Sequence, residues 1–277
     1  MCETCGCGDA EAAPRVTTLE APPEAQLHAH PHGHAHDHPH SHPHAHPHAE
    51  HRTGAPDPTP PAGTETLTLE QDVLAKNDDL AEVNRQWLRQ RQITAVNLMS
   101  SPGSGKTSLL ERTIREVGAS REVGVIEGDQ ETLLDARRIR AAGARATQIN
   151  TGAGCHLDAE MLSRGLEALA PTNGSVVFVE NVGNLVCPAL FDLGEASKVV
   201  VISVTEGDDK PLKYPLMFAA ADLIVVNKTD LLPYVDFDVA ACERAARGVN
   251  PQVELLPLSV RTGSGIDSWY RWLDETG

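Results

Sequence analysis

The chain has 277 residues, with 23 Lys and Arg against 39 Asp and Glu, a formal charge of −16. That length is ample for a buried core in one or two domains. The acidic excess argues against a nucleic-acid surface, which draws on clustered Lys and Arg. No run approaches the ~18 consecutive apolar residues of a membrane helix, and the first twenty residues hold no apolar signal core. The expectation is a cytoplasmic protein that binds neither nucleic acid nor membrane.

Residues 1–62 differ in composition from the rest. They contain eleven of the 19 prolines, none of the ten Phe, Trp and Tyr residues, and eight acids against two bases. Such a segment buries too little apolar area to offset the entropy of ordering it. We therefore predict a disordered metal-binding tail over 1–62 and a globular domain over 63–277. Cys2, Cys5 and Cys7 place three thiols within six residues. With the terminal amine they make a four-coordinate set, planar for nickel or tetrahedral for zinc. A reducing compartment disfavours the alternative, a disulfide. Further on, histidine occupies every even position of a tract: His28, His30, His32, His34, His36, His38, His40, His42, His44, His46 and His48. Imidazole binds nickel, zinc and copper, so the tract reads as a labile metal store.

From Leu69 the pattern becomes structural. Val73, Leu74, Leu80, Ala81, Trp87 and Leu88 recur at seven-residue spacing and predict an amphipathic helix. Strands are expected at Ile93–Met99, Val123–Ile126, Ala146–Ile149, Val176–Val179, Val199–Val204, Leu223–Val226 and Val253–Leu256. Helical patterns alternate with most of them, at Thr107–Val117, Glu131–Ala142, Leu157–Leu169, Pro211–Ala220, Val239–Arg247 and Ile266–Glu275. Alternation of this kind predicts an α/β fold, a mainly parallel central sheet with helices on both faces. Ligands of such sheets gather at the carboxyl ends of the strands.

The first strand ends at Ser100-Ser101-Pro102-Gly103-Ser104-Gly105-Lys106-Thr107. Between a strand and a helix this reads as a phosphate loop. Gly103, Ser104 and Gly105 let backbone N–H groups approach phosphate, Lys106 reaches the β- and γ-phosphates, and Thr107 binds Mg²⁺. Ser108 belongs to the same nucleotide set. Ser100 stands where G-x-x-x-x-G-K-[ST] has its first glycine. Asn227-Lys228-Thr229-Asp230 follows a later strand. The Asp230 carboxylate can accept both the ring N–H and the exocyclic amine of guanine, which adenine does not offer, so the nucleotide is expected to be GTP. Lys228 would lie across the base and Asn227 would brace the loops. Ser259, Val260 and Arg261 supply a second base-side loop, with arginine in place of the usual lysine. Asp129 and Glu180, at the ends of two other strands, are expected to serve Mg²⁺ and the attacking water; spacing leaves open which acid positions the water. A helix cap or a solvated loop is the alternative for each.

A second metal set lies inside the domain. Cys155 and His156 follow a strand, and Cys187 lies in the loop after Glu180. Singly each is more often a packed residue than a ligand. On neighbouring strand ends they could hold nickel or zinc, and nucleotide hydrolysis could move Cys187 against the other two. Cys242, inside a helical pattern, reads as core.

Together these residues resemble HypB, the nickel-inserting GTPase family of [NiFe]-hydrogenase maturation, over essentially the whole chain. The resemblance rests on Cys2 to Cys7, the His-rich insert, Lys76-Asn77-Asp78 to Asn84-Arg85 and Ser100–Thr107. It continues through Gly154–Asp158, Glu180–Pro188, Thr205–Pro215 and Asn227–Asp230. It implies a GTP-dependent homodimer, a tight N-terminal nickel site, a second site at Cys155, His156 and Cys187, and handover with the metallochaperone HypA. The expected recipient is the hydrogenase large subunit precursor, reached directly or through HypA. Slow GTP hydrolysis with Mg²⁺ would gate the delivery. Two rivals are weaker. A urease-maturation GTPase is disfavoured by the Cys2/Cys5/Cys7 cluster and the Cys155-His156 pair. A storage protein with a vestigial nucleotide site is disfavoured by intact Lys106, Thr107 and Asp230.

Overall fold

The computed structural model describes residues 15–18, 62–129, 134–152 and 154–276. The Cys2/Cys5/Cys7 cluster and the histidine tract lie outside the described residues. The strands are β1 (Arg15–Thr18), β2 (Thr94–Ser100), β3 (Val123–Asp129), β4 (Arg145–Asn150), β5 (Val176–Gly183), β6 (Ser197–Ser203), β7 (Leu223–Asn227) and β8 (Glu254–Pro257). They form one sheet in the order β1-β4-β3-β5-β2-β6-β7-β8. Every pairing is parallel except β1 with β4. The fold is thus the expected α/β architecture.

The helices are α1 (Ala62–Gln90), α2 (Lys106–Val117), α3 (Leu134–Ala141), α4 (Ala159–Leu169), α5 (Cys187–Leu190), α6 (Lys210–Lys213), α7 (Pro215–Ala219), α8 (Val239–Val249) and α9 (Ile266–Thr276). Alternation along the strands divides the core. On β5, Val176 and Phe178 face Leu109, Leu110 and Trp269 of α2 and α9, while Val177 and Val179 face Leu162 and Leu166 of α4. Two apolar faces on one strand are what a parallel sheet covered on both sides requires. Beyond β2, Val200, Ile202 and Val226 pack with Met217, Phe218 and the fully buried Cys242. Cys242 is core, and burial pushes its thiol up to about 12.

Helix α1 is fixed by polar contacts as well as by Ala81 and Leu88, while Val73, expected in its apolar stripe, is 51 % exposed. Asn77 and Asn84 are buried. Asn77 donates to Asp192 O at 2.8 Å and accepts from Ala159 N at 2.9 Å. Asn84 donates to Ala159 O at 2.8 Å and Leu193 O at 3.0 Å. Gly194, at φ +86°, lies against this helix where a Cβ would strike its backbone.

Two expectations need correction. Arg15–Thr18, assigned to the disordered tail, forms strand β1 on the β4 edge. The β-branched run Val16-Thr17-Thr18 suits a strand, and Val16 packs on the core under α4. The helix expected over Pro211–Ala220 is broken into α6 and α7. Pro215 lacks an N–H, and the preceding Tyr214 leaves helical geometry at φ −127°, ψ 54°.

Candidate functional site

The carboxyl edge of the sheet carries a cleft of about 590 Å³. It is lined by Gly103–Ser108, Asp129, Glu180 and Lys228 from the sequence-derived set, and also by Glu127. The phosphate loop turns between β2 and α2 because Gly103 and Gly105 take φ +77° and +102°, which side chains other than glycine rarely adopt. A Cβ on Gly105 would come within 2.5 Å of Asn227 Nδ2. Lys106 donates to Ser100 Oγ at 2.6 Å, and burial lowers its affinity for a proton against the pull of Glu180. Ser100, which replaces the first glycine, therefore seats the lysine.

The base-side residues converge as well. Asn227 donates to Ser104 O at 2.9 Å and accepts from Lys228 N at 2.7 Å and Val260 N at 3.2 Å. This brace joins the phosphate loop to both base-side loops. Asp230 accepts from Ser259 Oγ at 2.6 Å and meets Arg261 at 3.6 Å. The Ser259 bond holds its carboxyl below the usual carboxylate range. Lys228 donates to Gly103 O at 2.6 Å, so its stem bridges the two loops.

Thr107 Oγ1 donates to Glu180 Oε1 at 2.7 Å, while Glu180 Oε2 is buried without a partner. Burial raises the Glu180 carboxyl above its ordinary range, against Lys106. Glu127, one strand over, is 3 % exposed, and its Oε2 is likewise unpartnered. Burial, then repulsion from Glu180, pushes it up to about 8. The sequence reading missed Glu127. Its signal was an acid directly after an apolar strand run and two residues before Asp129. Also missed was Glu206, which accepts from Ser101 Oγ of the phosphate loop and from Ser203 N at 3.0 Å. This gives the Thr205–Pro215 stretch a concrete place beside the nucleotide cleft.

Cys155, His156 and Cys187 meet: their ligand atoms all lie within 4.8 Å of one another. Cys155 Sγ is 2.9 Å from Cys187 Sγ and 3.7 Å from His156 Nδ1. The imidazole stacks on Phe191 with centroids 3.9 Å apart. Burial lowers its pKa, which favours the neutral, ligating form. Cys187 opens α5 just past the end of β5. Asn181, next to Glu180, accepts from Leu157 N at 3.1 Å and donates to Asn97 Oδ1 at 3.3 Å. Asn184 donates to Cys155 O at 3.4 Å. The strand that carries Glu180 is thus bonded directly to the loop that carries Cys155 and His156.

A strand, a glycine-rich turn with a buried lysine and a helix at the edge of a parallel sheet define a P-loop nucleotide-binding protein. Residues 94–257 match the family described as CobW/HypB/UreG, nucleotide-binding domain. The hydrogenase maturation factor HypB of Rhizobium leguminosarum bv. viciae is 58% identical over 208 residues, 75% of this chain and 70% of that protein. The HypB of Escherichia coli K12 is 55% identical over 208 residues, 75% and 72% of the two chains. The crystal structure of HypB from Archaeoglobus fulgidus aligns with TM-score 0.68 at 43% identity, over 73% of this chain and 98% of that one. HypB from Helicobacter pylori, solved in complex with nickel, aligns with TM-score 0.68 at 36% identity, over 72% and 94%. The chain belongs to the HypB hydrogenase maturation factors. Among the described residues, no helix is long and apolar enough to cross a membrane.

Proposed function

We propose that this chain is a GTP-hydrolysing nickel metallochaperone, which stores nickel and delivers it to [NiFe]-hydrogenase during maturation. The observation that carries the reading is the Cys155/His156/Cys187 triplet, whose loop donates from Leu157 N to Asn181 on the strand that presents Glu180 to the nucleotide cleft. Soft thiolates and an imidazole suit nickel or zinc. Three ligands leave a further position for a second subunit, a handover partner or solvent.

The cleft fits GTP and Mg²⁺. The orphaned Glu180 oxygen beside the Thr107 hydroxyl is a donor set for a hard cation. Bound Mg²⁺ would neutralise charge on the β- and γ-phosphates. Lys106 would turn from Ser100 to the phosphates, Asp230 would read guanine, and Asp129 or Glu180 would orient the attacking water. Arg138 also lines the cleft, but it is engaged by Glu111 and Asp135, each at 2.9 Å. A cleft whose arginine is already paired fits slow turnover, on the order of 10⁻⁴–10⁻² s⁻¹. The Cys2/Cys5/Cys7 cluster would hold nickel or zinc, and the tract His28 to His48 would buffer it. Val186 and Leu190, exposed beside Cys187, favour contact at this end with a second copy or a handover partner. The partners proposed are a GTP-dependent second copy, HypA and the hydrogenase large subunit precursor, in the cytoplasm.

The test is the thiolate-to-nickel absorption of the full chain with GDP and with a non-hydrolysable GTP analogue. A nucleotide-dependent band that Cys187→Ser removes is expected. A band equal in both states would overturn nucleotide control of the inner site.

A further inference from the structure

We infer that Glu127 is a positioning residue for the divalent cation of the nucleotide site, its Oε2 accepting a hydrogen bond from a water of the cation's shell. The inference rests on the reading that Mg²⁺ binds beside Thr107, Asp129 and Glu180.

Glu127 and Glu180 are direct partners in the β3–β5 ladder. Laterally paired residues of parallel strands project to the same face, about 4.8 Å apart. Both side chains are nine-tenths buried, both line the cleft, and each keeps an Oε2 without a hydrogen bond. Two carboxylates shut away side by side are costly unless something positive or hydrogen-donating reaches them. Lys106 is the cation at hand, yet its ammonium donates to Ser100 Oγ, and in the nucleotide complex it is assigned to phosphate. Arg138 is occupied by Glu111 and Asp135. The unmet acceptors belong to residues that line the cleft, where the Thr107 hydroxyl and the Asp129 and Glu180 carboxyls are the oxygen groups on offer to a cation.

An oxygen-only set beside a hydroxyl selects a hard cation. Mg²⁺ dehydrates reluctantly, so an ion held at Thr107 would keep several waters. Those waters would need acceptors, and the Glu127 carboxyl beside Glu180 would supply one. Outer acceptors of this kind commonly tune metal affinity 10- to 100-fold.

The experiment titrates Mg²⁺ into the full-length chain with a fluorescent GDP analogue and follows nucleotide affinity. Glu127→Gln should need roughly 10-fold more Mg²⁺ for half its effect, with affinity in EDTA within about twofold of wild type. Glu127→Asp should fall between the two. The urea midpoint of the metal-free Glu127→Gln chain should equal or exceed that of wild type, since a neutral amide costs no more to bury than the carboxyl it replaces. An unchanged Mg²⁺ midpoint overturns the inference. If hydrolysis alone falls, Glu127 acts on the attacking water instead. Thr107→Ala separates the two readings. A Mg²⁺ effect lost there but intact in Glu127→Gln sinks only the role of Glu127. A wild-type chain indifferent to Mg²⁺ sinks the magnesium site itself.

Discussion

The two ends of the nucleotide-bearing edge are built differently. At the base end, Asn227 and Asp230 already have partners: Ser104, Lys228 and Val260 for the one, Ser259 and Arg261 for the other. At the cation end, Glu127 and Glu180 keep unpartnered buried oxygens, and Cys155 and Cys187 stand close without a disulfide. The proposed base reader is pre-organised, so binding there would cost little ordering. The cation end is completed from outside, and its energy depends on what arrives. Under the proposed metallochaperone role, a cargo ion is what would complete that end.

Four substitutions break or sharpen this contrast. The largest effect is expected from Lys106→Ala, which removes the ammonium proposed to turn from Ser100 to the phosphates. GTP affinity should fall more than about 100-fold by fluorescence titration, with hydrolysis lost. Asp230→Asn should cost about 1.5–3 kcal/mol of guanine affinity, roughly 10- to 150-fold, because a charged acceptor is lost from a formed site. Nickel absorption in the nucleotide-free chain should stay as in wild type; a change there would show that the two ends are not independently built. Asn181→Ala should leave GDP affinity within about threefold, yet shrink the nucleotide-dependent change in the nickel band. It also leaves Leu157 N unpaired, a cost of about 1–3 kcal/mol by urea unfolding. If the nickel response survives intact, coupling does not run through Asn181.

The smallest effect concerns pH, away from both ends. Burial raises the carboxyl of Glu195, although Asn97 and Leu193 donate to it. The neighbouring Asp192 is lowered by donation from Gly194 and Arg85, which outweighs its burial. For Glu195 the native state binds the proton more tightly than the unfolded chain. Its contribution is therefore full below the ordinary carboxylate range and declines as pH rises above it. For Asp192 the contribution is present above its ordinary range and is lost as acid protonates the native state. Glu195→Gln should flatten the decline on the alkaline side in urea midpoints and shift the acid limb less, since Gly194 and Arg85 still lower Asp192.

Local signals were legible in the sequence, and lateral ones were not. Ser100–Thr107 and Asn227–Asp230 are contiguous, and strand-end logic put both on one edge. Cys155, His156 and Cys187 could be gathered by the same rule, because each follows a strand. Glu127 escaped because it sits at the end of an apolar run, and only the register against Glu180 shows two acids side by side. Glu206 escaped for a like reason, since its partner Ser101 lies 105 residues away. Strand β1 was hidden inside a proline-rich segment whose average composition outweighed three β-branched residues. The break at Pro215 was readable from proline chemistry, but the periodicity across it was given more weight.

The contact between Gly105 and Asn227 has a consequence for inheritance. Glycine is required at one position because an amide occupies the space, and that amide is required because it holds Ser104, 123 residues away in the chain. Neither motif can drift alone. A recombination that exchanged the first half of this domain for a relative's would have to bring a turn that accepts the same asparagine. Ancestry should therefore be shared by the two loops even where the chain between them has diverged.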